Sequence, residues 1–259
     1  MISSDATLGQ FLGSHDEDGF LSHAVDGDEG KLKLAASLQI TAKGQPVIYY
    51  GEELGQSGAN NWPEYDNRYD LGWDIVEDND ILDHYQTVLE FRNDYSELLS
   101  RGTRSTVAGS NSNQWLVVER AFQNESVYLG FNVAEEAQAI TLAVSDEDVI
   151  VTDHYSDRTY TASENEDGEF VVTLSVPSLA DGGTILLSAD NGQILPGEVE
   201  SSDEIPEGYF RLHFEDVEAS FFDQLGVTGL DELGLWLWDV ADPSDDWPNG
   251  AMNFSNAVK

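Results

Sequence analysis

The sequence contains no cysteine, which excludes disulfides, thiolate metal centres and a cysteine nucleophile while leaving the compartment open. Basic residues are nearly as scarce: 11 Lys and Arg stand against 50 Asp and Glu in 259 residues, a formal net charge of -39. Such a field repels phosphate backbones and anionic lipid heads, so nucleic acid and membrane surfaces are disfavoured as partners. No apolar run approaches the roughly 18 residues of a membrane span, and Met1 to Gln10 lacks the basic and apolar regions of a signal peptide. Hydrophobic residues at 40% and aromatics at 10% still suffice for a core. The acidity therefore reads as a solvated surface, suited to a high-salt or extracellular setting, rather than as general disorder.

Along the chain, residues 7–12 (TLGQFL) read as a strand that feeds a polar loop, Gly13 to Gly19. Helical spacing follows from Gly30, with Gly44 as its stop, and PVIYY at 46–50 reads as a buried-type strand. The polar loop after it runs for nearly thirty residues, long for an idle connection. A helix then spans about 80–101, with Ile81, Leu82, Tyr85, Val88, Leu89, Arg92 and Tyr95 on one face. The first hundred residues thus alternate strand and helix, the grammar of a parallel sheet. From Ser105 to Ala189 the pattern changes to eight short runs of strand type broken by Asn, Asp, Gly and Pro, the grammar of an antiparallel sandwich. Residues 191–207 carry two prolines, two glycines and five acids and read as a linker. About fifty residues remain.

The string FLGSHDEDGF, followed by GQPVIYYGEELG, then NRYDLGWD, a long helix and an all-β segment, resembles the end of the catalytic barrel of the α-amylase superfamily of glycoside hydrolases. The likeness is greatest to its secreted pullulanase branch, which debranches α-1,6-glucans. The resemblance implies an α/β region, residues 1–102, made of the last two strand–helix units of a (β/α)8 barrel, then an antiparallel β-sandwich at 103–190. It implies that His15 hydrogen-bonds a substrate hydroxyl and that Asp16 is the catalytic carboxylate that stabilises the oxocarbenium-like transition state. Asn67, Arg68 and Asp70 match the N-R-x-D segment that lines sugar subsites. Tyr49 and Tyr50 are expected in the core, and an indole at Trp62 is a weaker candidate for stacking on glucose.

A retaining glycosidase also needs a nucleophile and a general acid/base. In this superfamily those carboxylates end the fourth and fifth strands, and nothing in the sequence matches their motifs. The resemblance thus implies a C-terminal portion of a larger extracellular or cell-surface hydrolase, inactive alone and partnered by the upstream part of the barrel. Its substrate would be an α-glucan polysaccharide such as pullulan, glycogen or branched starch. An isolated piece of this kind is expected to expose Val47, Ile48 and the apolar face of the 80–100 helix, and to be less stable than the sandwich.

The last segment, 208–259, carries GYFRLHFE and LGLWLWDV, which resemble the opening of the pullulanase-associated starch-binding module, a partial β-sandwich here. Two indoles spaced by two share one face of a strand, so Trp236 and Trp238 are candidates for a glucose platform. The alternative function is accordingly a non-catalytic α-glucan-binding protein that uses these two residues. No cofactor is implied and His23, His84 and His154 are isolated; acids at Asp26, Asp28 and Glu29, or at Asp242, Asp245 and Asp246, leave calcium open without following an EF-hand pattern. Because screening weakens self-repulsion, the melting temperature should rise between low and molar salt in a thermal scan. A flat response would mean that self-repulsion among the acids does not limit the stability of the fold.

Overall fold

The computed structural model describes residues 7–200 and a short antiparallel pair, Gly234–Leu235 with Met252–Asn253. Trp236 and Trp238, and with them the expected sugar platform, lie outside the described residues. Strand β1 (Gly9–Gln10) runs parallel to β2 (Gln45–Pro46), and helix α1 (Glu29–Thr41) crosses between them. This is the expected strand–helix–strand unit. Both strands are much shorter than the apolar runs that carry them, because among the described residues each pairs with one neighbour and the ladder ends where that partner ends. Leu8, Phe11 and Val47, apolar members of these runs, are 55%, 55% and 48% exposed. The expectation of an uncovered apolar face holds at Val47 and not at Ile48, which is partly buried against the core of the helices.

Helix α1 starts where Asp28 accepts a hydrogen bond from the Lys31 N–H, an N-cap that also pairs with the Lys31 ammonium at 3.1 Å. Its other end is held from outside: Arg92 donates to the carbonyls of Ile40 (2.7 Å), Ala42 (2.8 Å) and Gly44. A buried guanidinium thereby satisfies the orphan carbonyls of a helix C-terminus. Gln39 ties the same helix to both strands, donating to Gln10 O and Val47 O at 2.9 Å each. Helix α2 (Asp80–Asp94) is capped by Asn79, whose side chain accepts from Ile81 and Leu82 N–H. The long helix read from sequence breaks at Tyr95 and resumes as α3 (Ser96–Arg101). The buried face of α2 is Ile81, His84, Tyr85, Val88, Phe91 and Arg92, while Leu89 points outward at 36% exposure.

Strands β3 (Thr103–Ser110), β4 (Trp115–Phe122), β5 (Glu125–Asn132), β7 (Ile150–Asp153), β8 (Arg158–Thr161), β11 (Thr184–Asp190) and β12 (Val199–Glu200) form a sheet in the order β12-β3-β4-β5-β11-β7-β8. A smaller sheet, β6-β10-β9, comprises β6 (Gln138–Ala143), β10 (Phe170–Val176) and β9 (Ser163–Glu164). The core between the sheets holds Val117, Tyr128, Ile140, Leu142, Val172, Leu174, Ile185 and Leu187. Val118, Leu129 and Leu186, the alternate residues of the same strands, point the other way and share a second core with Leu32, Ile40, Tyr85, Val88 and Phe91 of the helices. Strands β4, β5 and β11 are therefore buried on both faces, in the middle of three layers.

Two expectations change. The apolar face of the 80–100 helix is covered by the large sheet rather than exposed, so residues 7–100 share a core with the sandwich instead of standing as a weaker neighbour. Residues 194–200 of the expected linker pack on the sandwich: Ile194 is 3% exposed, Leu195 N–H donates to Ala143 O, Gly197 N–H to Val107 O, and β12 adds a parallel edge to β3. Buried polar bonds reinforce the joint. His84 contacts Ser37 Oγ of α1 (3.0 Å) and Tyr155 Oη beyond β7 (2.6 Å), and Thr184 of β11 donates to the same Ser37 Oγ at 2.8 Å. Replacing His84 with Ala should lower the unfolding free energy by about 2–3 kcal/mol, through lost hydrogen bonds and a small void. Helical and sheet signals should still melt in one urea transition; separate transitions in the unaltered protein would contradict a shared core.

Candidate functional site

The segment Gly13–Gly19 leaves the carboxyl end of β1, and it carries His15 and Asp16 with side chains about two-thirds exposed. The Asp16 carboxylate lies 3.2 Å from His15 Nε2 through one oxygen and 3.3 Å from Arg68 Nη2 through the other. Arg68 Nε also donates to the His15 carbonyl at 3.1 Å. The guanidinium thus grips both the backbone and the carboxylate of the pair, the two-point recognition for which its planar fork is suited.

Asn67 works from below. It is 1% exposed, and its Nδ2 reaches the carbonyls of Glu17 (2.7 Å), His15 (3.0 Å) and Ser14 (3.3 Å). Asn67, expected among the residues that line a sugar subsite, is enclosed here and clamps the loop through its Nδ2. Its own carbonyl accepts from Tyr49 Oη at 2.9 Å. Asp70 is exposed and joins the assembly through its backbone carbonyl, which accepts from Gln56. The two loops are sewn together elsewhere by Asn60 N–H to Asp18 Oδ1 (2.7 Å) and Gly19 N–H to Gly58 O (2.7 Å). Glycine is required at Gly19, because a methyl group there would collide with Ser57 Oγ and Gly58 N.

Tyr49 and Tyr50 depart from the expected core placement: Tyr50 is 42% exposed, and the two rings cluster with Tyr69 at centroid distances of 4.8, 5.4 and 6.4 Å. Tyr50 Oη donates to Tyr69 O at 2.5 Å. Beneath the site sits a residue that periodicity does not reveal. Glu52 is 5% exposed, accepts from Tyr85 Oη at 3.0 Å, and has Oε2 2.9 Å from where a Cβ on Gly13 would stand. Burial pushes its carboxyl up to about 7; the Tyr85 hydroxyl works against that rise and the charge of Glu53 adds to it. His84 moves the other way, down to about 4, because burial disfavours its cation. Among the described residues no three His, Asp or Glu groups are placed to hold a metal ion, and no helix is long and apolar enough to cross a membrane.

The chain is similar to known proteins in sequence and in fold. The sequence profile of the family described as alpha amylase, catalytic domain, matches residues 1–144. Neopullulanase 2 of Thermoactinomyces vulgaris is 33% identical over 138 residues, covering 53% of this chain and 23% of its own. An amylopullulanase of Thermoanaerobacter thermohydrosulfuricus is 30% identical over 194 residues, covering 70% of this chain and 12% of its own. A solved cyclomaltodextrinase superposes with a TM-score of 0.57 at 26% identity, over 71% of this chain and 30% of the other. The chain spans less than a quarter of the length of these two curated relatives.

Both buried titratable groups favour their neutral forms, so their pH effects oppose. The stability that depends on neutral Glu52 is intact below about pH 4.5 and is lost as pH rises through 7; that of neutral His84 is intact above 6.5 and lost as pH falls through 4. Between those limits the slopes largely cancel. Replacing Glu52 with Gln removes one of them, so the variant should gain on the unaltered protein by about 3 kcal/mol between pH 4.5 and 8. Urea titrations at both pH values measure this; a difference independent of pH would contradict a neutral, buried Glu52.

Proposed function

Because the chain belongs to the alpha-amylase catalytic-domain family, we propose that it is the C-terminal portion of a retaining α-glucan hydrolase of the pullulanase type, acting on α-1,6 bonds. The observation that carries this reading is the exposed His15–Asp16 pair, oriented by Arg68 and seated on a loop that Asn67 clamps. In a retaining hydrolysis one carboxylate attacks the anomeric carbon while an acid protonates the departing glycosidic oxygen, and water later releases the sugar. Asp16 takes neither part. Fixed between His15 and Arg68, it accepts hydrogen bonds from sugar hydroxyls that strengthen as the ring becomes cationic, and His15 donates to a neighbouring hydroxyl. Since its contacts are made in advance, little reorganisation is needed when charge develops.

The nucleophile and acid come from upstream strands, which dock on the free edges of β1 and β2. Exposed Leu8, Phe11 and Val47 support this, as does a cavity of about 550 Å³ lined by Leu8, Gln10, Leu38, Leu116 and Phe131 among others. An extracellular or cell-surface location of the whole enzyme accords with the net charge of -39. A starch-binding segment at 208–259, using Trp236 and Trp238, would retain polymer close to the site; retention without cleavage is the second reading.

Purified chain incubated with pullulan should release no reducing ends at low or molar salt. Release that is abolished by Asp16→Ala would mean that carboxylates within these 259 residues supply the nucleophile and acid, and would overturn the proposal of an upstream partner.

A further inference from the structure

The long loop that delivers Arg68 also presents an aromatic strip that leads away from Asp16. The guanidinium carbon of Arg68 lies 4.5 Å from the centre of the Tyr65 ring, and Tyr65 meets Trp62 edge-on at a centroid distance of 5.8 Å. The far face of the strip is open, with Trp62 80% exposed. A single exposed apolar side chain carries no functional meaning by itself. Here the indole is the end of a continuous series of contacts that starts on the Asp16 carboxylate, Asp16 to Arg68 to Tyr65 to Trp62.

The backbone under the strip is held in an uncommon shape. Tyr65 has φ +48, a left-handed conformation that a bulky side chain adopts only where its surroundings impose it. Tyr65 N–H donates to Asn61 O at 2.8 Å, Arg68 N–H to Tyr65 O at 2.9 Å, and Asn67 N–H to Ala59 O at 3.2 Å. Together with Asn60 N–H on Asp18 Oδ1 these bonds close the segment 59–68 onto the His15–Asp16 loop. The indole is therefore presented on a braced turn.

We infer that Trp62, supported by Tyr65, is an outer subsite that stacks on a glucose ring of an α-glucan chain extending from Asp16. This rests on the α-glucan reading above and adds to it the residue that binds the chain beyond the reacting bond. The chemistry selects a neutral, polyhydroxylated ligand. Indole faces match the C–H faces of a pyranose, whereas Asp16, Glu17, Asp18, Glu64 and Asp66 nearby in sequence repel anions and offer acceptors to hydroxyls.

The test titrates the 259-residue chain, with Trp236→Ala and Trp238→Ala in every sample to silence the segment proposed above to bind starch, with maltose and with maltoheptaose, read by calorimetry. Trp62→Ala should weaken maltoheptaose binding about tenfold and leave maltose within about twofold, since the longer chain alone reaches the outer subsite. Trp62→Phe should retain affinity within about threefold. Trp73→Ala, which removes an indole 77% exposed but absent from the strip, should bind like the otherwise unaltered chain. Equal maltoheptaose affinity in Trp62→Ala and otherwise unaltered protein would overturn the subsite while leaving the α-glucan reading in place. No binding of either sugar by the otherwise unaltered chain would overturn both.

Discussion

Burial of the central strands β4, β5 and β11 on both faces is the constraint from which the remainder of the structure follows. Val117 and Val118, Tyr128 and Leu129, Ile185 and Leu186 are adjacent pairs that point to opposite sides, each into its own core. One side needs the small sheet and the other needs α1, α2 and α3. Remove the helices and Val118, Leu129 and Leu186 face water; remove the sheet and Tyr85, Val88 and Phe91 do so. Two segments that look like separate domains in sequence thus depend on one layer. The polar joint at Ser37, His84, Tyr155 and Thr184 sets the register of that packing, because misplacing any of its members would strand a buried polar group.

The site inherits its rigidity from this joint through short steps. Helix α1 holds β1 and β2 through Gln39 and is itself terminated by Arg92 of α2. Helix α2 also reaches Glu52 through Tyr85, and Glu52 lies against Gly13 where the His15–Asp16 loop begins. From the opposite side Asn67 and Arg68 close over the same loop. An exposed carboxylate needs such support, since a loop on two-residue strands would otherwise lose the position on which electrostatic stabilisation depends. Among the described residues the arrangement leaves strand edges unpaired and Leu8, Phe11 and Val47 exposed on the flank of β1 and β2.

Much of this was legible in sequence, for physical reasons that differ by element. Helices α1 and α2 announce themselves through apolar spacing and Asp28 or Asn79 at the start; the strands of the sandwich do so through turn residues between apolar runs. His15 and Asp16 stand in one short motif and Asn67 and Arg68 in another, 52 residues on from Asp16 to Arg68, and the structure brings the Arg68 guanidinium onto the Asp16 carboxylate. Two-sided burial was not read from the sequence, although the runs LVV and TILL do not alternate as a half-exposed strand would. The break at Tyr95 was not either, although Asn93, Asp94 and Ser96 around it are weak helix formers; the ring turns there to pack on Phe91 (4.7 Å) and His154 (5.7 Å). Nor was the inward turn of Asn67, or the burial of Glu52, in a chain where most acids are solvated. The parallel edge β12 escaped because acids and prolines resemble a linker until Ile194 is seen to be buried.

The central claim is that the loops 13–19 and 57–68 form one braced surface that receives a glucan chain. Amide hydrogen exchange of the chain, with and without maltoheptaose, measures this most directly. Added protection confined to those two loops, with α1, α2 and the sandwich strands unchanged, is the predicted result. Protection that appears elsewhere while both loops exchange as before would contradict the account.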